Sequence, residues 1–255
     1  MTALLDGGLV RPRVVADPSV RVLLMHHAGG SDLEYRRWAR HFPADWEVLV
    51  VRLPARSGRT GRAAVGTVAE LCARLADQVA PLADRPLALF GHSMGALICY
   101  ELARVMAARG LPAPVWLGVS AHPGPRRRLD WPGTGRLSSE RLRTAVGGLG
   151  GLDPEALRDD ALWSFVEPML RRDLELVASW PTERVDRPLT VPLTSFCGDA
   201  DPLAGPASAA GWSRHTERFL GVRVHRGGHF YFRADVEALV GQIVAEVRPM
   251  ARRRR

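Results

Sequence analysis

Short apolar runs alternate along the chain with stretches in which apolar positions recur every three to four residues. The runs are "RVLLM" from Arg21, "WEVLVVRLP" from Trp46, "PLALFG" from Pro86, "PVWLGVSA" from Pro114, "LTVPLTSFCGD" from Leu189 and "FLGVRVHRGG" from Phe219. Most are continuously apolar rather than alternating, the pattern of strands covered on both faces. The periodic stretches predict helices. In the last of them Val236, Leu239, Val240, Ile243 and Val247 form one apolar stripe. "TVAELCARLADQVAPL" opens with a capping box, Thr67 at the N-cap and Glu70 three residues on. The helix after Ser93 stops at Gly110, with Pro112 just beyond. Strand and helix in alternation predict an α/β fold, a mostly parallel central sheet flanked by helices.

One region breaks the alternation. From about His122 to Arg187 no strand pattern occurs, only helix-like stretches such as "SSERLRTAVGGL" and "DALWSFVEPMLRRDLELVASW", bracketed by proline-rich pieces. This reads as a helical insertion at 122–187 between two sheet strands, placed to act as a lid over the strand ends. A single domain over 1–255 is expected, closing on a basic, solvated tail at 248–255.

Composition narrows the function classes. The longest apolar runs fall short of a membrane span, and no basic-then-apolar leader opens the chain, so a cytoplasmic location without membrane association is expected. The net charge is +8, and all 35 basic residues are arginine. The chain lacks Lys and Asn, which excludes a Schiff-base lysine, a phosphate-loop lysine and an Asn side chain in an oxyanion hole. The arginines are dispersed among acids and no nucleic-acid-binding motif accompanies them, so no nucleic-acid partner is expected. Cys72, Cys99 and Cys197 are far apart and odd in number; they read as buried thiols rather than as a disulfide or metal framework.

The chemistry concentrates in "LFGHSMGALICYELARVM". A strand, then Gly91-His92-Ser93-Met94-Gly95, then a helix is the context in which G-x-S-x-G means a nucleophile elbow rather than an ordinary turn. Ser93 is the expected nucleophile, and the Met94 amide is one oxyanion donor. A serine needs a base, and the base needs an acid. His229, in the glycine-containing loop "HRGGHFYF" after the last strand, is the strongest candidate among eight histidines. His225 lies within a strand, His41 and His215 read as solvated, His92 packs inside the elbow, and His122 borders the insertion. "SFCGDADPLAG" offers two acids. Asp201, deeper in the loop, suits the acid, and Asp199 suits the turn. Ser93, Asp201, His229 is the chain order of the α/β-hydrolase triad. The second oxyanion amide is expected in "LLMHHAGGSDLEY", after the first strand. His26 and His27 there lack a third ligand at a telling spacing, so no metal is expected.

"HHAGGS", "LPARSGR", "LFGHSMGALICYELAR", "CGDADPL" and "GGHFYF" together resemble the discrete type II thioesterases that accompany polyketide and nonribosomal peptide synthases. The resemblance runs from about Arg21 to Val247 and matches the insertion to the family's lid. It implies Ser93, Asp201 and His229 as triad and the amides of Met94 and Ala28 as oxyanion hole. It further implies acyl thioesters on the phosphopantetheine arm of acyl or peptidyl carrier proteins as substrates and removal of aberrant acyl groups as the task. A serine mechanism of this kind requires no cofactor, and a monomer is expected. Two departures flank the oxyanion region. Met25-His26 stands where the pattern has Phe-Pro, and Pro54-Ala55-Arg56 where it has Pro-Gly-Arg. Arg126 to Arg128 are candidates for guiding an acidic carrier protein. The same triad would serve a general carboxylesterase or an acyltransferase, and a noncatalytic carrier-binding subunit would keep the fold.

Overall fold

The computed structural model describes residues 3–5, 8–53, 65–125, 137–180 and 187–252. Its strands are β1 (Ala3–Leu5), β2 (Leu9–Arg11), β3 (Val20–Met25), β4 (Trp46–Val51), β5 (Leu87–His92), β6 (Trp116–Ser120), β7 (Leu193–Gly198) and β8 (Phe219–His225). They form one sheet in the order β1-β2-β4-β3-β5-β6-β7-β8. From β4 to β8 all neighbours are parallel. The helices are α1 (Asp32–Arg36), α2 (Val68–Val79), α3 (Met94–Ala108), α4 (Ser139–Gly148), α5 (Pro154–Arg158), α6 (Asp160–Ala178), α7 (Pro206–Ala209) and α8 (Val236–Arg252).

The continuous apolar runs have a direct cause. Successive side chains on a strand point to opposite faces, and both faces are covered. Leu23, Met25, Leu49 and Leu89 pack with Leu71, Leu75 and Ile98 of α2 and α3. Val22, Leu24, Val48 and Phe90 pack with Trp38 and with Leu239, Ile243 and Val247 of α8. Each fully buried Val or Leu contributes about 1.5–3 kcal/mol. Glu47 is the polar exception, fully buried in β4. Burial would raise its pKa, but hydrogen bonds from Arg11 and Arg21 outweigh that and hold it low.

Helix ends follow the sequence signals. The Thr67 hydroxyl accepts from the Glu70 amide at 3.1 Å, while the Glu70 carboxylate accepts from Gly66, one residue before the N-cap. α3 closes with Leu111 N–H donating to the Met106 carbonyl, the six-residue bond of a Schellman ending.

Two elements differ from expectation. The antiparallel ribbon β1–β2 carries no sequence signal, because three residues per strand are too few to show a period. At the other end α8 continues through Arg252 with Val247 and Ala251 buried, so 248–252, expected in a solvated tail, are helical. Residues 253–255 lie outside the described set, as do most of the "LPARSGR" motif and Arg126 to Arg128. Between β6 and β7 the described residues form α4, α5 and α6 and no strand.

β3 hydrogen-bonds β4 on one side and β5 on the other. The chain reverses its winding direction there, and ligand sites in open α/β sheets form at the carboxyl ends of such strands. The loops after β3 and β5 leave the sheet side by side, with Met25 paired to Gly91.

Candidate active site

Ser93 sits between β5 and α3 with φ 55° and ψ −116°, a conformation that costs a non-glycine residue about 1–3 kcal/mol. The surroundings enforce it. Ser93 N–H donates to the Ser120 carbonyl of β6 at 2.7 Å, and Ser93 C=O accepts from Ala96 at 3.0 Å. Both flanking glycines are required by close approach. A Cβ on Gly91 would lie 2.0 Å from the Gly95 carbonyl oxygen, and one on Gly95 would lie 2.2 Å from that of Met25. The bend therefore folds on itself and seats the first turn of α3 on the end of β3. No side chain caps α3, so its N-terminal partial positive charge stands beside the Ser93 hydroxyl.

His229 and Asp201 arrive from the loops after β8 and β7. His229 Nδ1–H donates to Asp201 Oδ2 at 2.9 Å, with the side chains 2% and 0% exposed. The other carboxylate oxygen accepts from Leu203 N–H at 2.9 Å. Burial raises the Asp201 pKa; the hydrogen bond and charge of His229, then the Leu203 and Ala204 amides, overcome it, and the carboxyl stays below its ordinary value. Asp199 has a different job: its exposed carboxylate accepts from Gly227 N–H at 2.8 Å and ties the two loops together. The His92 ring, next to Ser93 in the chain, meets the His229 ring at 5.2 Å between centroids. The nucleophile elbow and the Asp201–His229 pair thus share one end of the sheet. A thioesterase-domain family model matches residues 20–247.

The chain belongs to the thioesterase family. Thioesterase PikA5 of Streptomyces venezuelae is 32% identical over 89% of this chain and 81% of its own. The type II thioesterase BorB of the borrelidin biosynthetic cluster superposes with a TM-score of 0.81 at 30% identity, over 96% of this chain and 99% of that one. YbtT, a type II thioesterase of the yersiniabactin NRPS/PKS pathway, has 26% identity and a TM-score of 0.79 over 95% and 98%. The α/β-hydrolase architecture and the type II thioesterase resemblance read from the sequence both stand.

In this thioesterase the remaining histidines are mostly interior. His92 is fully buried, and burial first, then the charges of His229, His27 and Arg233, push its pKa well below the ordinary range. Its Nδ1 pairs with Ser120 Oγ at 2.8 Å, which in turn pairs with Tyr231 Oη at 2.7 Å. That chain links the elbow, β6 and the loop carrying His229. His122 accepts from Gly124 N–H, and burial lowers its pKa to about 3. His215 corrects the sequence reading: it is 2% exposed, not solvated, because the turn Ala210–His215 folds its ring against Tyr100 and Trp212. His41, also expected in solvent, is partly covered, with 17% of its side chain exposed. His225 lies in β8 as expected, stacked on Tyr231. All three cysteines are buried thiols, with burial raising each pKa, that of Cys197 to about 11. Among the described residues no group of three or more His, Cys, Asp or Glu is arranged to hold a metal ion.

Sequence reasoning missed one contact at the site. Gly29 N–H, in the loop after β3, donates to the buried carboxylate of Asp173 on α6 at 2.7 Å, across 144 residues of chain. Leu170 of the same helix packs on Gly29. The available signal was weak: Asp173 falls on the apolar side of α6, between Leu170 and Leu174.

Proposed function

We propose that this thioesterase hydrolyses acyl groups from the phosphopantetheine arm of carrier proteins, as a cytoplasmic monomer that clears aberrant acyl chains from polyketide or nonribosomal peptide synthases. The observation that carries the mechanism is the buried Asp201–His229 hydrogen bond beside the Ser93 elbow. Nδ1–H faces the carboxylate, so Nε2 is the atom that takes the Ser93 proton as Oγ attacks the thioester carbonyl. The tetrahedral oxyanion rests on the amides of Met94 and Ala28, each worth about 3 kcal/mol of barrier. His229 returns the proton to the leaving thiolate, whose conjugate thiol has a pKa near 8.5 and so departs readily. Water, deprotonated by the same imidazole, then releases the acid from the acyl-serine. Asp201 holds the ring's tautomer and stabilises the imidazolium formed in each half-reaction. The net charge of +8 favours approach of an acidic carrier protein.

The test is intact-protein mass spectrometry after mixing with a panel of acyl-carrier proteins. The reading expects a transient acyl adduct on Ser93, absent in Ser93→Ala. Turnover without any such adduct, undiminished in Ser93→Ala, would remove it.

A further inference from the structure

The inference rests on the assignment of Ala28 as an oxyanion donor and asks what aims its amide. In a planar trans peptide the C=O and N–H point in opposite directions, so whatever fixes the His27 carbonyl also fixes the Ala28 N–H. Two donors fix it. Gly30 N–H reaches the His27 oxygen at 3.0 Å, closing the turn. The second is a side chain: His26 Nδ1 lies 2.8 Å from the same oxygen. A carbonyl oxygen only accepts, so Nδ1 carries the proton. His26 is fully buried, and its backbone is clamped by the elbow: a Cβ on Gly95 would lie 2.9 Å from the His26 carbonyl oxygen. The segment that presents Met94 is thus seated on the residue that steers Ala28.

We propose that His26 is a positioning residue for the oxyanion hole. Its imidazole anchors the His27–Ala28 peptide plane so that the Ala28 N–H meets the developing negative charge of the tetrahedral thioester adduct. A hydrogen bond to the carbonyl end of a peptide also polarises the N–H end, which makes Ala28 the stronger donor. The type II thioesterase pattern has proline at this place, whose side chain carries no donor. Part of the steering of this amide therefore comes from a side chain that departs from that pattern.

The test compares His26→Asn, His26→Gln and His26→Phe, using kcat and KM for an acyl-N-acetylcysteamine thioester together with thermal melting. The Asn amide nitrogen falls near the position of imidazole Nδ1; that of Gln falls near Nε2. Mis-aiming one donor without deleting it is expected to lower kcat about 10-fold in His26→Phe and His26→Gln, with KM unchanged within about 2-fold. His26→Asn is expected to keep kcat within about 2-fold of wild type. Wild-type kcat in folded His26→Gln or His26→Phe would overturn the role, as would an Asn variant that melts normally yet is as slow as Phe. Ser93→Ala in the same assay separates the two levels. If it is inactive while the His26 variants run at full rate, only the positioning role falls; if it turns over normally, the thioesterase site itself is misassigned.

Discussion

The carboxyl edge of the sheet and the α4–α6 insertion hold their shapes by different means. At the edge, Ser93 and His229 are locked by the parallel ladder from β5 to β8, by buried hydrogen bonds and by an elbow that leaves no room for a Cβ. The insertion has a small core of its own, Leu142, Val146, Trp163, Leu170 and Leu174. It meets the rest through the end of α6 and the residues just after it, where Leu176 and Trp180 join the core cluster that holds Leu23, Leu89 and Leu97, and through scattered polar contacts. Asp173 holds Gly29, Ser179 Oγ accepts from Val68, Trp180 Nε1–H donates to Glu101, and Arg233 bonds the Gly150 and Gly151 carbonyls while lying 4.2 Å over the Phe230 ring. The difference teaches a division of labour. The site is built where the sheet ladder holds the backbone, and the insertion is held to it by a smaller set of side-chain contacts.

The sharpest way to break this comparison is at the elbow. Ser93→Ala and Ser93→Gly are both expected to lose at least about 10⁴-fold in kcat. The glycine variant, free of the penalty at φ 55°, should be more stable than the alanine one by about 1 kcal/mol in denaturant unfolding. Next in size is the pair of acids. Asp201→Asn is expected to lower kcat by about 10⁴-fold through the wrong imidazole tautomer. Asp199→Asn, which touches only the loop tie, should stay within about 5-fold. Comparable losses in both would dissolve the distinction between catalytic pair and loop tie.

The buried rings give a pH signature at the rigid edge. His92 and His122 stay neutral in the fold but protonate near 6.5 when unfolded. The unfolded chain therefore binds more protons below that pH, and stability falls as pH falls from about 6.5, approaching about 1.4 kcal/mol per pH unit for each ring. Melting curves across pH 7 to 5 check the slope, and His122→Gln should remove one ring's share. The smallest effect belongs to the insertion. Asp173→Ala is expected to lower kcat only about 3-fold, by the loss of one net hydrogen bond, and to speed amide hydrogen exchange in α6 while leaving β5 unchanged. Asp173→Asn keeps an acceptor and should restore both.

Legibility in the sequence follows the same division. β3 to β7 were readable because burial on both faces demands largely apolar runs, and the edge site was readable because strand, glycine bend and helix must occur consecutively. Asp201 follows such a strand, and His229 follows β8, a partly exposed edge strand, in a loop marked by two glycines. What escaped depends on distant parts of the chain. β1 and β2 are too short to show a period, His215 is turned inward by a short 3₁₀ segment, and Asp173 meets Gly29 only after the insertion folds back. His26 looked like half of an ambiguous histidine pair until its carbonyl partner was in place.

The central claim is that the Asp201-supported imidazole of His229 activates the hydroxyl at the elbow. Its most direct test is the rate at which a fluorophosphonate labels the protein, with peptide mapping of the label. Wild type should be labelled at Ser93 alone, and His229→Ala and Asp201→Asn should be labelled at least about 100-fold more slowly. Labelling at wild-type rate in His229→Ala, or label on a residue other than Ser93, would contradict the account.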